Sequence, residues 1–230
     1  FGSTGDPSSG LDGQTADTGQ TWIANSNWTT EDGSAVFDGV DGNAMAGVTL
    51  ADNYFDDNPA VYQLEATISL TTTGSEWIAI GFCEEVEKGT GNGFFQQGDQ
   101  DDGRPWMLLR GNGGALVRSN GNTDLYSASP GTFATSNSTL KFVYDTSATN
   151  WTVDAYINST QLDLNGASAG NTFTYSSNPT AIKTVGLTGN ANVQGSVQDI
   201  SLTVIPEPAT LSLFAMVGAL ALLRARRWKR

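Results

Sequence analysis

The chain is built from short runs in which hydrophobic and polar residues alternate. The clearest covers 61–71. Tyr62, Leu64, Ala66, Ile68 and Leu70 fall on one side of an extended backbone, and Gln63, Glu65, Thr67 and Ser69 on the other. Period-two alternation predicts an antiparallel strand with one face on a core. The run 77–83 reads differently. Ile78, Ile80 and Phe82 share a face, while Trp77, Ala79 and Gly81 make the opposite face unusually apolar and open. That pattern predicts a central strand whose second face lines a shallow groove. Residues 140–145 place Leu140, Phe142 and Tyr144 inward, and 151–158 place Trp151, Val153, Ala155 and Ile157 on one face. A turn over 147–150 joins these two strands. Residues 106–110 and 115–119 predict a hairpin closed by Gly111-Asn112-Gly113-Gly114. Shorter candidates lie at 21–24, around Trp28, and at 35–39, 44–50, 182–188 and 197–204. In the last of these, Ile200, Leu202 and Val204 are expected to face in.

No helix is predicted before residue 209, and no repeat is visible. Many short strands separated by Gly-, Asn- and Asp-rich turns predict an all-β sandwich or barrel. Residues 1–20 lack a hydrophobic period and read as a flexible lead-in. Residues 21–204 form one β domain, and 205–230 a separate tail. In size and strand pattern, the β domain resembles the concanavalin A-like, or LamG-like, antiparallel jelly roll. The resemblance implies that the strands over 22–37 lie near the final strand, with the domain's ends close together. An immunoglobulin-like sandwich is the alternative. It needs about 100 residues, so this length would demand a duplication that the sequence does not show.

The tail has three parts. Pro206-Glu207-Pro208 stiffens an extended segment and ends the preceding strand. An uncharged apolar run covers 211–223, short of the ~20 residues that a spanning helix needs. Arg224, Arg226, Arg227, Lys229 and Arg230 then mark a cytoplasmic flank whose long stems can snorkel, so a short helix can still span. This arrangement is similar to the PEP-CTERM sorting signal of Gram-negative bacteria. The resemblance implies a transmembrane precursor held at the inner membrane and processed by an exosortase. Delivery to the cell surface or to extracellular polysaccharide follows. The sequence starts at Phe1 without Met, which fits an export leader removed or omitted.

Charge and composition narrow the chemistry. The net charge is −13, and the basic tail masks a charge of −17 on residues 1–205. Such a body is repelled by nucleic acid and by anionic lipid. There is no histidine, which excludes Ser–His–Asp and Cys–His catalysis and His-ligated metals. Cys83 is the only cysteine, so there is no intrachain disulfide. Glu84 and Glu85 beside it disfavour a thiolate, and Cys83 reads as structural.

Three groups of residues are candidate sites. Glu85 and Glu87 have the i, i+2 spacing that would put two carboxylates on one strand face, as glycoside hydrolysis requires. However, the Glu-x-Asp-x-x-Glu pattern of β-glucanases of this fold is absent, and solvated strand-end charges account for the pair. Asp99, Asp101 and Asp102 offer oxygens for calcium. Gly103 comes too early for an EF-hand and no closing Glu follows, so the alternatives are a generic calcium loop and ordinary Asp-Gly turn chemistry. Asp38, Asp41 and Asn43 form a weaker group of the same kind. Trp106, with Arg104 and Asp102 beside it, and Trp77 on the open face offer the stacking ring and polar partners that a sugar needs. Filling of the core is the competing account of each ring.

The first reading is an exported, non-catalytic surface or matrix protein that binds polysaccharide, with calcium as the one cofactor in view. An extracellular glycoside hydrolase or lyase of the same fold is the second. A self-associating structural protein of the matrix is the third.

Overall fold

The computed structural model describes residues 10–16, 19–39, 44–84, 103–120, 123–166 and 168–206. These residues form two antiparallel sheets stacked as a sandwich. The front sheet has seven strands in the order β1 (Trp22–Ala24), β4 (Ala44–Thr49), β14 (Thr184–Gly189), β6 (Trp77–Cys83), β7 (Gly103–Arg110), β8 (Ala115–Arg118) and β9 (Asp124–Ala128). The back sheet runs β12 (Thr160–Gln161), β11 (Thr152–Ile157), β10 (Ser138–Asp145), β5 (Val61–Leu70), β15 (Gln194–Ile205), β3 (Ser34–Asp38) and β2 (Trp28–Glu31). A short β13 (Phe173–Thr174) also pairs with β11. The chain passes between the layers at β1–β2, β3–β4, β4–β5, β5–β6, β9–β10, β13–β14 and β14–β15, as a concanavalin A-like jelly roll does. The expected neighbourhood of first and last strands is present, because β3 pairs with β15.

Register follows from the alternation. Leu64 of β5 stands opposite Phe142 of β10 and Leu202 of β15, and Tyr62 stands opposite Tyr144. Any slip by one residue would turn the hydrophobic set to solvent. The interlayer core is one cluster that includes Leu64, Ile68, Phe142, Ile80, Phe82, Leu109, Val117 and Leu187. Trp28 ties the layers together, its indole N–H donating to the Ala44 carbonyl at 3.2 Å.

Two local expectations are corrected. A four-residue helix, α1 (Tyr54–Asp57), lies between β4 and β5, although no helix was expected before residue 209. It is too short for a 3.6-residue period to show in sequence. It carries Phe55 into the end of the core, with ring centroids 4.8 Å from Tyr62, 5.5 Å from Phe82 and 5.6 Å from Tyr144. Thr146 braces the connection after it. Its hydroxyl lies 3.1 Å from both the amide nitrogen and the carbonyl oxygen of Ala60. The second correction is Val204, which was expected to face in and is 55% exposed. β3 pairs with β15 only as far as Val197, and β15 has a register shift between Gln198 and Ser201. Beyond that shift β15 is an edge.

Candidate functional site

The front sheet has a second apolar layer on the face turned away from the core. Met45, Trp77, Ala79, Cys83, Trp106, Leu108 and Leu116 form a buried cluster separate from the interlayer one. The sequence marked the 77/79 face as apolar, correctly, but also as open. All of β6 is buried.

Register sets a row across this face. Gly47 pairs with Gly186, Gly186 with Gly81, Gly81 with Trp106, and Trp106 with Arg118. Three adjacent strands therefore present bare backbone, and the strip ends at an indole. A Cβ on Gly81 would lie 2.6 Å from the Pro105 carbonyl oxygen and from Cα and Cβ of Trp106, so the close approach of β6 to β7 requires glycine. Flanking the strip on the same face of β14 are Thr184, opposite Cys83, and Thr188, opposite Ala79. Both threonines are fully buried, and among the described residues neither hydroxyl has a hydrogen-bond partner. Buried hydroxyls are almost always satisfied, so two unsatisfied ones beside a strip of bare backbone are notable.

At the Trp106 end the groups become charged. The Arg118 guanidinium lies 5.2 Å from the Trp106 ring centroid, and its Nε donates to Asp124 at 2.5 Å. Arg104, near the start of β7, pairs with Glu84 at 3.3 Å. Behind it the Tyr175 hydroxyl donates to the Ser119 carbonyl at 2.9 Å. Burial pushes the Tyr175 phenol far above its ordinary range, against the opposing pull of Arg104. Tyr144 is raised well above its ordinary value by burial and by neighbouring Tyr175. Neither phenol ionises near neutrality: Tyr175 serves as a hydrogen-bond donor, and Tyr144, whose hydroxyl has no partner among the described residues, as a packing element.

The structure thus brings Trp77, Trp106 and Arg104 to one sheet. The two rings lie 6.2 Å apart. Trp106 is fully buried and Trp77 nearly so. Cys83 is buried in the same layer, in a position suited to packing. Asp99, Asp101, Asp102, Glu85 and Glu87 lie outside the described residues, as do Asp41, Asn43, Glu207, Pro208, Arg224, Arg226, Arg227, Lys229 and Arg230. Pro206 is exposed, directly after β15. Among the described residues no group of three acidic or sulfur ligands is placed to hold a metal, and no helix is long and apolar enough to cross a membrane. Sequence reasoning missed Gly186, Thr184 and Thr188. Their signal was present as small or polar residues at alternate positions of β14, but Thr-x-Gly-x-Thr also describes an ordinary solvent face.

No protein-family model and no curated protein matches the chain. Solved structures do. The carbohydrate recognition domain of Emp46p, in a metal-free form, superposes with a TM-score of 0.53 at 12% identity, over 79% of this chain and 87% of that one. The metal-free exoplasmic/lumenal domain of VIP36 gives 0.51 at 9% identity, over 86% and 91%. The Ca2+- and mannose-bound form of VIP36 gives 0.50 at 9% identity, over 83% and 86%. Identities this low establish a shared two-sheet architecture.

Proposed function

We propose that the protein is an exported, non-catalytic surface or matrix protein that binds polysaccharide through the outer face of its front sheet. The observation that carries this reading is the glycine strip Gly47–Gly186–Gly81 flanked by the unpartnered hydroxyls of Thr184 and Thr188. A sugar ring has flat C–H faces and hydroxyls around its edge. Once the strip is uncovered, the absence of Cβ atoms at Gly47 and Gly186 lets the flat face approach the backbone, and the ring hydroxyls complete the hydrogen bonds that the threonines lack. Trp106 and Trp77 are buried rings that brace one end of the strip, and Arg104 and Arg118 supply donors at its rim. The floor is buried as it stands, so entry of a sugar displaces what shields it, whereas the rim is already partly exposed at Arg104, Arg118 and Asp124.

The fold shared with carbohydrate recognition domains supports the reading, and VIP36 holds mannose with Ca2+ on this architecture. In this reading Asp99, Asp101 and Asp102 supply oxygens to calcium, and Asp102 assists Arg104 with the sugar hydroxyls. Residues 205–230 act as the sorting signal. An exosortase-type enzyme processes them at the inner membrane before release to the surface. Support for that part is the order Pro-Glu-Pro, apolar run and basic block in the sequence.

The test is the double substitution Thr184→Val with Thr188→Val, assayed on immobilised polysaccharides with and without chelator. It should abolish retention while the denaturation midpoint stays at or above that of the wild type. Full retention would refute the site, and an unchanged result in chelator would remove calcium from it. Release of reducing sugar by the wild type would favour the hydrolase reading instead.

A further inference from the structure

We infer that a second glycan-binding groove, independent of the front-sheet strip, crosses the outer face of the back sheet over β2, β3, β15 and β5, and takes a neutral sugar residue. The groove has a volume of about 440 Å³ and is lined by Glu31, Asp32, Ser34, Val36, Ser69 and Ser196, with Gln194 and Thr71 at one rim. That volume falls in the ~300–1,000 Å³ range of small-ligand sites.

Its shape follows from register. Val36 stands opposite Ser196, and Ser196 opposite Ser69, so three short side chains occupy one row across three strands. Longer groups rise on either side of them. The Gln194 side chain is held at one rim against Gly39, where the lack of a side chain leaves room for it. A Cβ there would meet Gln194 Cγ at 2.8 Å. Asp32 and Gly33 form the β2–β3 turn with φ values of +46° and +77°, and this lifts the Glu31 and Asp32 carboxylates onto the other rim.

The hydrogen-bonding state of the lining identifies the ligand class. Ser69 and Thr71 are already engaged, by Asn137 at 3.1 Å and by the Gln194 carbonyl at 3.2 Å. Among the described residues, the Glu31 and Asp32 carboxylates, the Ser34 and Ser196 hydroxyls and the Gln194 amide have no side-chain partner. Five free polar groups around a half-buried aliphatic floor at Val36 match a ring with apolar C–H faces and several hydroxyls. Carboxylates accept from hydroxyl pairs in charge-assisted bonds. They also repel uronates and other anionic sugars. Two carboxylates do not make a metal site, and no larger acidic group is present among the described residues. Without an exposed aromatic ring the groove is weak for one sugar and effective on a repeating polymer, because linked units raise the local concentration. Sites on opposite faces of the sandwich would let one molecule join two polysaccharide chains.

Affinity electrophoresis of the full chain tests this, in gels containing a glucan, a mannan, a galactan or a polyuronate. At least one neutral polymer should retard the wild type and the polyuronate should not. Ser196→Leu, which fills the row without adding an aromatic ring, should weaken that binding about tenfold or more. Glu31→Gln with Asp32→Asn should weaken it by about tenfold, the usual consequence of losing charge-assisted bonds. Those two positions are exposed, and Asn tolerates positive φ, so the second variant folds as the wild type does. The Thr184→Val, Thr188→Val protein serves as the front-sheet control. Groove variants that migrate as wild type while that control loses retardation would overturn the groove and leave the front site standing. Lack of retardation by every neutral polymer, or groove-dependent binding of polyuronate, would also overturn it.

Discussion

On the back sheet, β5, β10 and β11 alternate buried and half-buried positions along their whole length. On the front sheet, every residue of β6 and of β14 is buried. The back sheet has a core face and a solvent face. Its outer surface carries groups such as Lys141, whose ammonium lies 4.4 Å from the Tyr156 ring centroid. The front sheet has two inner faces, and these are built from different material. Toward the other sheet it presents Ile78, Ile80, Phe82, Val185 and Leu187. Away from it come Ala79, Gly81, Gly186, Thr184 and Thr188, with Trp77 and Trp106. A sheet covered on both faces ordinarily reads as a continuous hydrophobic run. Here the second face is built of small residues and hydroxyls beside two buried indoles, and its backbone is buried as it stands.

The sharpest way to break this contrast is to compare one large ring from each layer. Phe55→Ala, in the interlayer core, should cost about 3–5 kcal/mol in denaturant melts. Trp106→Ala should fall in the same range of about 3–5 kcal/mol, because its side chain is equally buried. A cost below about 1 kcal/mol for Trp106, typical of a surface position, would show that the outer layer is surface after all.

A smaller effect is expected at Gly81→Ala. The new methyl meets backbone atoms of Pro105 and Trp106 at 2.6 Å, and these cannot rotate away. The loss should be about 1–3 kcal/mol, as for overpacked interiors. A melt unchanged from wild type would mean that β6 and β7 separate easily, contrary to a tightly closed second layer.

The smallest effect, and the one of opposite sign, belongs to Thr188→Val alone. Removing a buried hydroxyl that has no partner should leave stability unchanged or raise it by up to about 1 kcal/mol. A clear loss of stability would mean that the hydroxyl is satisfied in solution, by bound water for example, and the case for a ligand there would weaken.

Much of the fold was legible because a strand with one wet face writes its period into the sequence. β5, β10 and β11 were read with the correct inward residues, and the β7–β8 hairpin with its glycine turn. The helix at Tyr54–Asp57 was not legible, since a single turn has no period. The direction of Val204 was misjudged for another reason. Alternation fixes which side of β15 it occupies, but whether that side is covered depends on where β3 stops pairing. The candidate site was legible only in part. Trp77, Trp106 and Arg104 were found as residue types suited to sugar, and the structure does bring them to one sheet. Thr184, Gly186 and Thr188 show in sequence only as a Thr-x-Gly-x-Thr pattern that an ordinary solvent face shares, and their alignment with Gly47 joins strands far apart in the chain.

An all-β chain of alternating strands, an acidic body without histidine, and a tail whose parts stand in a fixed order can all be read along the chain. Those properties depend on neighbours within a few positions, or on composition alone. The tertiary structure decided which strands lie side by side. That choice aligned Gly47, Gly186 and Gly81 into one bare strip and set Val36, Ser196 and Ser69 at the floor of a groove. Both features are cross-strand rows, and a row exists only once long-range pairing has fixed the register.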